Sequence, residues 1–258
     1  MGETYTYSIL IADDEPISRT FLQSTLLPHA NKLDMAEDGE EVISHILATQ
    51  YDFLFMDIRM PKMNGIRTMK LIVSAIPPEK QPVVIAMSAG FDRETYEECQ
   101  DTGFSDFLPK PVNEGMLSLL LRKWGPHTPG WSAYSSTDLP DHELLNLARI
   151  KELKELDDSE ATHEVVQKLL GLFREECPQQ IESIKAAVET GDKTSFVNIS
   201  HRLRGSLLSM GLDKAAEICK RLESVPFDTD ALSALEKLEE LRSVYKQSVA
   251  EFFTYMRA

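Results

Sequence analysis

YSILIADDEP, residues 7–16, is the stretch that decides the fold of the first half of the chain. A short apolar run leads directly into two adjacent aspartates, Asp13 and Asp14. Such a run is too short for a buried helix and polar residues bound it, so it predicts a buried β-strand. The acidic pair then stands at the carboxyl end of that strand.

Four further apolar runs of the same kind follow. They are KLDMAE (32–37), DFLFMD (52–57), VVIAMS (83–88) and DFLPK (106–110). Amphipathic stretches such as GEEVISHILAT (39–49) separate them. Near-continuous apolar strands that alternate with helices predict a parallel sheet covered on both faces. We therefore expect an α/β doubly wound domain of five β–α units over residues 7–124.

The pattern changes before the middle of the chain. The segment RKWGPHTPGWSAYSSTDLPDHE (122–143) is rich in proline, glycine, serine and threonine, and it contains both tryptophans, Trp124 and Trp131. This composition predicts a linker, assigned to residues 125–143, and the two large rings are expected to be partly packed. Beyond the linker only helical spacing remains, so residues 144–258 are predicted to form an all-α four-helix bundle with short loops.

The composition limits the classes of function. The chain has 258 residues, with 42 acidic against 27 basic side chains and a formal net charge of −15. Nucleic-acid binders draw most of their affinity from phosphate contacts by basic side chains, so no nucleic-acid partner is expected. No apolar run approaches the roughly 18 residues of a membrane-spanning helix, so no membrane span is expected. Three cysteines without a CxxC pair fit reduced thiols, and we expect a cytoplasmic protein.

Polar side chains stand at the carboxyl ends of several predicted strands. Besides Asp13 and Asp14, they are Asp57, Ser88 and Lys110. Ligands of open α/β sheets bind at this edge, so the five side chains are expected to converge there. Three clustered carboxylates need a cation, and hard oxygen ligands suit Mg²⁺. A hydroxyl and an ammonium beside that cation suit a phosphoryl group, because they can hydrogen-bond its oxygens and balance its charge.

This half of the chain resembles the receiver domain of bacterial response regulators, which has a flavodoxin-like fold. The motifs that carry the resemblance are LIADDEP (10–16), FMDIRMPKMNG (55–65), AMSAG (86–90) and DFLPKP (106–111). The resemblance implies that Asp57 is the phosphoacceptor. It also implies that Asp14, Asp57 and the backbone carbonyl of Arg59 hold Mg²⁺, with Asp13 assisting through water.

The resemblance assigns further roles around the same site. Ser88 and Lys110 would contact the phosphoryl group, and Phe107 would be the switch aromatic that turns inward when Ser88 is drawn toward the phosphate. The Lys110–Pro111 bond is expected to be cis. Haloacid-dehalogenase-type phosphatases attack phosphorus with an aspartate in the same way, but they carry a second acid two residues further on. Arg59 occupies that position here, which disfavours this alternative.

The stretch FVNISHRLRGSLLSM (196–210) places His201 in a small basic island of an acidic chain. Its apolar residues recur at spacings of three and four and form one stripe along a predicted helix. At about 100° per residue, His201 points roughly 160° away from the centre of that stripe, so we expect it to project outward from the bundle. Arg204 and Gly205 share its face one turn on, and Arg202 is adjacent.

These residue types suit phosphoryl transfer at the histidine. A neutral imidazole nitrogen is a nucleophile, and a guanidinium one turn away can hold a phosphoryl oxygen. A glycine on the same face lets the active site of another protein approach closely. Glycine is unfavourable inside a helix by about 1 kcal/mol, so a glycine at this position suggests a functional need for close approach.

The motif SHRLRGSLLSMGL (200–212) resembles the core of histidine phosphotransfer (HPt) domains, which read H-x-L-K-G-S. LLNLARIKEL (144–153) and the helical pattern that follows resemble the same family, whereas Arg204 stands where lysine is commonest. The resemblance implies that His201 carries phosphate, with Arg202, Arg204 and Gly205 around the phosphate.

The two halves together predict a two-component phosphorelay protein with Asp57 and His201 as stations for phosphoryl groups. The sequence has no P-loop and no glycine-rich nucleotide lid, so we expect a relay intermediate rather than a kinase. The receiver would still catalyse its own phosphorylation and dephosphorylation. A sensor or hybrid histidine kinase would supply phosphate, and a downstream receiver protein is a candidate acceptor. The alternative is a protein-binding module switched by phosphorylation of Asp57, in which His201 is not phosphorylated.

Overall fold

The computed structural model describes residues 6–89, 93–125, 144–225 and 231–257. These residues belong to two compact units, one within residues 1–134 and the other within residues 135–258. Apart from Gly125, the predicted linker at residues 125–143 lies outside the described residues.

The first unit contains a parallel sheet of five strands with flanking helices. The strands are β1 (Tyr7–Ala12), β2 (Ala30–Ala36), β3 (Phe53–Asp57), β4 (Val83–Ser88) and β5 (Asp106–Pro109). The helices are α1 (Pro16–Leu26), α2 (Gly39–Ala48), α3 (Gly65–Ala75), α4 (Arg93–Thr102) and α5 (Glu114–Trp124). All five predicted strands are confirmed, and so is the doubly wound fold. The strand β2 begins two residues before the predicted run.

The order of the strands in the sheet is β2-β1-β3-β4-β5. The chain leaves β1 toward β2 on one side and then crosses to β3 on the other. The carboxyl ends of β1 and β3 therefore form the point at which the strand order reverses, where ligands of such sheets bind. The strand β3 is buried along its whole length, as expected for a central strand covered on both faces. The last residue of β3 is Asp57.

The second unit consists of helices. They are α6 (Leu147–Asp157), α7 (His163–Thr190), α8 (Lys193–Ser209), α9 (Asp213–Glu223) and α10 (Ala231–Arg257). The four predicted helices correspond to α7 through α10, and α6 is a fifth within the described residues. Asn146 caps α6 by accepting a hydrogen bond from the backbone N–H of Arg149, and Ile150 and Leu153 are buried. This additional helix packs against α7 and α10.

Trp124 is the last residue of α5. Its side chain is partly packed, as predicted, because it is 36% exposed and its indole N–H donates to Asp106 Oδ2 at 2.9 Å. The prediction for Trp131 falls outside the described residues.

The three cysteines, Cys99, Cys177 and Cys219, are buried and free. Burial raises the pKa of the Cys99 thiol to about 11, and burial together with Glu223 raises the pKa of Cys219. None of the helices in the described ranges combines the length and the apolar composition needed to cross a membrane.

Candidate functional site

The acidic residues predicted to converge are brought together by the sheet. Asp13 and Asp14 directly follow β1, and Asp57 ends the neighbouring strand β3. One carboxylate oxygen from each of the three lies within 4.8 Å of the others. Asp13 and Asp57 are buried, whereas Asp14 is half-buried and reaches toward the surface. The cluster therefore offers hard oxygen ligands on one side of the sheet edge.

Lys110 closes the cluster from the end of β5. Its ammonium donates to Asp13 Oδ2 at 2.7 Å and also forms an ion pair with Asp57 Oδ2. Its backbone N–H donates to the carbonyl of Ser88 at 2.7 Å, which joins it to the end of β4. The Lys110–Pro111 bond is cis, as predicted. The lysine therefore stands where it can balance the charge of a group bound between the two carboxylates.

Neighbouring groups fix the orientation of the two buried carboxylates. Asp13 Oδ1 accepts from the backbone N–H of Glu15 at 3.0 Å, and Asp13 Oδ2 accepts from the Ser18 hydroxyl at 2.6 Å. Asp57 Oδ1 accepts from the backbone N–H of Arg59 at 2.9 Å. The first turn of α1 and the start of the loop after β3 thus hold the carboxylates in place.

Burial and the neighbouring charges shift the pKa values of both Asp57 and Lys110. Burial raises the pKa of Asp57; Lys110 opposes that shift and Asp13 adds to it, and the pKa remains above its ordinary value. Burial also disfavours the charged form of Lys110, but the carboxylates of Asp13 and Asp57 outweigh it and raise the pKa of the ammonium. A divalent cation beside Asp57 would favour its ionised form, because an opposite charge lowers a carboxyl pKa.

Ser88 and Phe107 lie on the two strands beyond β3. Ser88 is buried at the carboxyl end of β4. Phe107, on β5, is half-buried against the core, and its ring lies 4.4 Å from the ring of Tyr96 on α4. The contact with Tyr96 was not predicted. Because the two rings are in contact, a rotation of Phe107 would change the packing of Tyr96 on α4.

The prediction that His201 projects outward is wrong. His201 is only 9% exposed, and its Nδ1 atom is buried. The wheel argument assumed that α8 buries a single stripe, whereas α8 packs against both α7 and α9. Its buried surface is therefore wider than the apolar stripe, and it includes Ser200 and Ser209 as well.

Glu223, at the end of α9, is the site residue that the sequence did not reveal. Its Oε2 lies 3.6 Å from Nδ1 of His201 and 3.7 Å from Nη1 of Arg204. These are ion-pair distances rather than hydrogen bonds. Nδ1 of His201 and Oε1 of Glu223 are both buried and have no hydrogen-bond partner among the described residues. A carboxylate thus faces one nitrogen of the imidazole and the guanidinium beside it.

Two arginines and an open space lie close to His201 on α8. The side chains of Arg202 and Arg204, which precede and follow Leu203 in the sequence, are partly buried. A Cβ built on Gly205 would meet nothing within 4 Å. Open space therefore remains on the face of α8 that Gly205 shares with His201.

Comparison with known protein families agrees with both halves. Residues 9–122 match the response regulator receiver domain, and residues 168–251 match the Hpt domain. The chain therefore contains a receiver domain and an Hpt domain, the two domain types of two-component phosphorelay signalling.

The chain is also similar to parts of curated sensor proteins. The chain is 21% identical over 244 residues to the aerobic respiration control sensor protein ArcB of Escherichia coli K12, covering 94% of this chain and 31% of ArcB. It is 27% identical over 251 residues to the sensor protein EvgS of the same strain, covering 95% of this chain and 19% of EvgS. The chain thus spans between about a fifth and a third of the length of these relatives.

Two solved structures are similar to about half of the chain. A chain in the co-crystal of the Saccharomyces cerevisiae histidine phosphotransfer protein Ypd1 with the receiver domain of Ssk1 is 25% identical, with a TM-score of 0.45, covering 48% of this chain and 92% of that chain. The receiver domain of the sensor histidine kinase PA1611 from Pseudomonas aeruginosa, with a magnesium ion in its active-site cleft, is 26% identical. Its TM-score is 0.42, and the match covers 46% of this chain and 97% of that chain.

Proposed function

We propose that this chain relays phosphoryl groups between histidine and aspartate side chains, with Asp57 and His201 as its two acceptors. The observation that carries the proposal is that one chain contains both kinds of site. One is the carboxylate cluster closed by Lys110, and the other is His201 with Arg204 beside it. A sensor or hybrid histidine kinase would donate phosphate in the cytoplasm. A second receiver protein would be a further partner.

At the receiver, the carboxylate oxygen of Asp57 is the nucleophile. It attacks phosphorus of the donor, an O–P bond forms, and the N–P bond of a phosphohistidine donor breaks. The oxygens of Asp14, Asp57 and the Arg59 carbonyl suit Mg²⁺, which would keep Asp57 ionised and draw charge from the phosphoryl group. Lys110 and Ser88 would hold the phosphoryl oxygens. Phe107 would then turn inward as Ser88 moves toward the phosphate.

At the bundle, Nε2 of His201 would be the nucleophile, which the buried position of Nδ1 supports. An Nε2–P bond forms as the O–P bond of a phosphoaspartate donor breaks and the carboxylate leaves. Glu223 favours the tautomer with a proton on Nδ1, which leaves the lone pair on Nε2 free. Arg204 would hold a phosphoryl oxygen during the transfer, and Arg202 would attract the acidic mouth of the partner receiver.

Glu223→Gln should slow phosphoryl transfer at His201 in both directions by about tenfold or more, because the charge that holds the proton on Nδ1 is lost. Glu217→Gln is the matched control, since Glu217 lies on the same helix and its carboxylate contacts Lys220 at 4.0 Å instead. Rates come from time courses with a phosphorylated partner receiver, and the tautomer from ¹⁵N NMR of the imidazole. Equal rates for the parent and Glu223→Gln would remove Glu223 from the mechanism.

Gly205→Leu should block transfer while the protein stays folded, because the leucine fills the space into which the partner must approach. Gly205→Ala is the control: its Cβ meets nothing within 4 Å, and alanine should stabilise the helix by about 1 kcal/mol. The transfer rate and the thermal midpoint are measured for both variants. Normal transfer by Gly205→Leu would show that docking uses another face.

The relay as a whole is tested by tracing phosphate in the full chain. The parent, Asp57→Asn and His201→Gln are each incubated with candidate phosphorylated histidine kinases. A relay requires label at both stations, with the alkali-stable, acid-labile fraction lost in His201→Gln. Label confined to Asp57 in every pairing would favour the binding-module alternative.

A further inference from the structure

The loop between β3 and α3, residues 58–64, contains a residue in an unusual backbone conformation. Lys62 has a φ of 55°, in the left-handed region where glycine and asparagine are the ordinary residues. A lysine at such a position is strained, so its side chain is expected to make a compensating contact. This loop starts directly after Asp57 and includes Arg59.

The contact is an ion pair with Asp38, which precedes α2. The Lys62 ammonium lies 2.5 Å from Asp38 Oδ2, and Asp38 is almost completely buried, whereas Lys62 is 61% exposed. The other oxygen, Oδ1, caps α2 by accepting from the backbone N–H groups of Glu40 and Glu41 at 2.9 and 3.0 Å. One carboxylate therefore joins the apex of the loop to the first turn of α2.

A second contact fixes the loop against the same turn. The backbone N–H of Gly39 donates to the carbonyl of Met63 at 3.1 Å. A Cβ on Gly39 would lie 2.7 Å from that carbonyl oxygen, so only glycine allows this approach. At its start the loop is held by the Ile58 N–H, which donates to the carbonyl of Met87 at 3.1 Å. Two contacts therefore join Lys62 and Met63 to α2, while the Gly65 N–H closes the end of the loop by donating to the Ile58 carbonyl at 2.9 Å.

We infer that the Lys62–Asp38 ion pair is a positioning contact for the cation site, because it sets the loop that carries the Arg59 carbonyl beside Asp57. The inference rests on the proposed function, in which that carbonyl is a Mg²⁺ ligand. Outer contacts that orient ligands of a metal site commonly change its affinity without touching the ion. Neither Lys62 nor Asp38 needs to contact the ion or the phosphoryl group.

The sign of the effect separates positioning from simple electrostatics. Removing a positive charge near a cation site should strengthen Mg²⁺ binding, if charge alone mattered. Loss of a positioning contact should weaken it. Lys62→Met should therefore lower the Mg²⁺ affinity about tenfold. Lys62→Arg should restore it, because the guanidinium can also reach Asp38.

Lys62→Gly separates positioning from folding. Glycine removes the backbone strain, which offsets part of the stability lost with the ion pair, so the thermal midpoint should fall less than in Lys62→Met. The ammonium is absent, however, so the Mg²⁺ affinity should fall as in Lys62→Met. Asp38→Asn keeps an oxygen that can cap α2 but loses the charge, so its Mg²⁺ affinity should fall as in Lys62→Met. The double variant Asp38→Asn with Lys62→Met should show no further loss of affinity.

Lys70→Met is the matched control. Lys70 is also 61% exposed and pairs with a carboxylate, Glu98, at 3.6 Å, but that partner is on the surface. Its removal should leave the Mg²⁺ affinity unchanged. All affinities are measured by calorimetric titration of the full chain with Mg²⁺ alone.

Two outcomes contradict the inference in distinguishable ways. If the parent binds Mg²⁺ and Asp14→Asn loses it, while Lys62→Met and Lys62→Gly bind as tightly as the parent or more tightly, the positioning role alone is wrong. If the parent binds no Mg²⁺, or Asp14→Asn binds it normally, the cation site of the proposed function fails and the role of Lys62 fails with it.

Discussion

Asp57→Asn is expected to reduce phosphate uptake from acetyl phosphate by about 10³-fold or more, because an amide oxygen is a far weaker nucleophile than a carboxylate. The side chain keeps its size, and its Oδ1 can still accept from the Arg59 N–H, so the fold should persist. The label is measured in the presence of Mg²⁺ and in the His201→Gln background, which leaves Asp57 as the only proposed acceptor.

Asp52→Asn is the control for the same chemical change. Asp52 stands just before β3, at the opposite edge of the sheet, where its Oδ2 accepts from the Ser8 N–H at 2.8 Å. This variant should take up label like the parent. Chelation of Mg²⁺ should abolish uptake in the parent, because three adjacent carboxylates repel an anionic donor. Full labelling of Asp57→Asn would show that the phosphoacceptor is another residue.

His201→Gln is expected to remove all alkali-stable, acid-labile phosphate from the chain and to leave the alkali-labile acyl phosphate on Asp57 intact. Glutamine can occupy the buried site, but it has no imidazole nitrogen that could form an N–P bond. The readout is the alkali-stable, acid-labile fraction of the label after incubation with a phosphorylated partner receiver.

His163→Gln provides the comparison for this second result. His163 begins α7, and its Nδ1 lies 3.1 Å from a carboxylate oxygen of Asp157, so it too is a histidine beside an acid. Unlike His201, it is well exposed and has no arginine one turn on. The variant should retain the full alkali-stable, acid-labile label. If His163→Gln loses the label and His201→Gln keeps it, the assignment of the acceptor is wrong.

The receiver half could be predicted from sequence because each informative residue marks the end of an apolar run. Parallel strands place their carboxyl ends on one edge of the sheet, so Asp13, Asp57 and Lys110 meet for topological reasons. The one-dimensional pattern therefore carried both the strand positions and the composition of the site.

The bundle half was less predictable, because its site depends on how two helices are placed against each other. Glu223 lies on α9, and the sequence alone does not show that it faces His201 on α8. A usable signal was its place beside the buried residue Leu222, since a charged residue at the edge of an apolar stripe faces a neighbouring element. The burial of His201 was missed because a helical wheel describes one helix without its neighbours.

The position of Lys62 illustrates a further limit. Its ion pair with Asp38 joins two loops that are distant in sequence, and the strained φ arises only in the folded loop. From the sequence alone, Lys62 is interpreted as an ordinary surface lysine. The composition around it gives no reason to expect a structural role.

Because all three native thiols are buried, with elevated pKa values at Cys99 and Cys219, they should react slowly with maleimides. One new cysteine on a solvent-facing position of each half could then carry a donor and an acceptor dye without removal of the native three. Such a doubly labelled chain would report, by single-molecule energy transfer, how often the two halves come close together. It would also show whether the time between these approaches shortens when Asp57 or His201 carries phosphate.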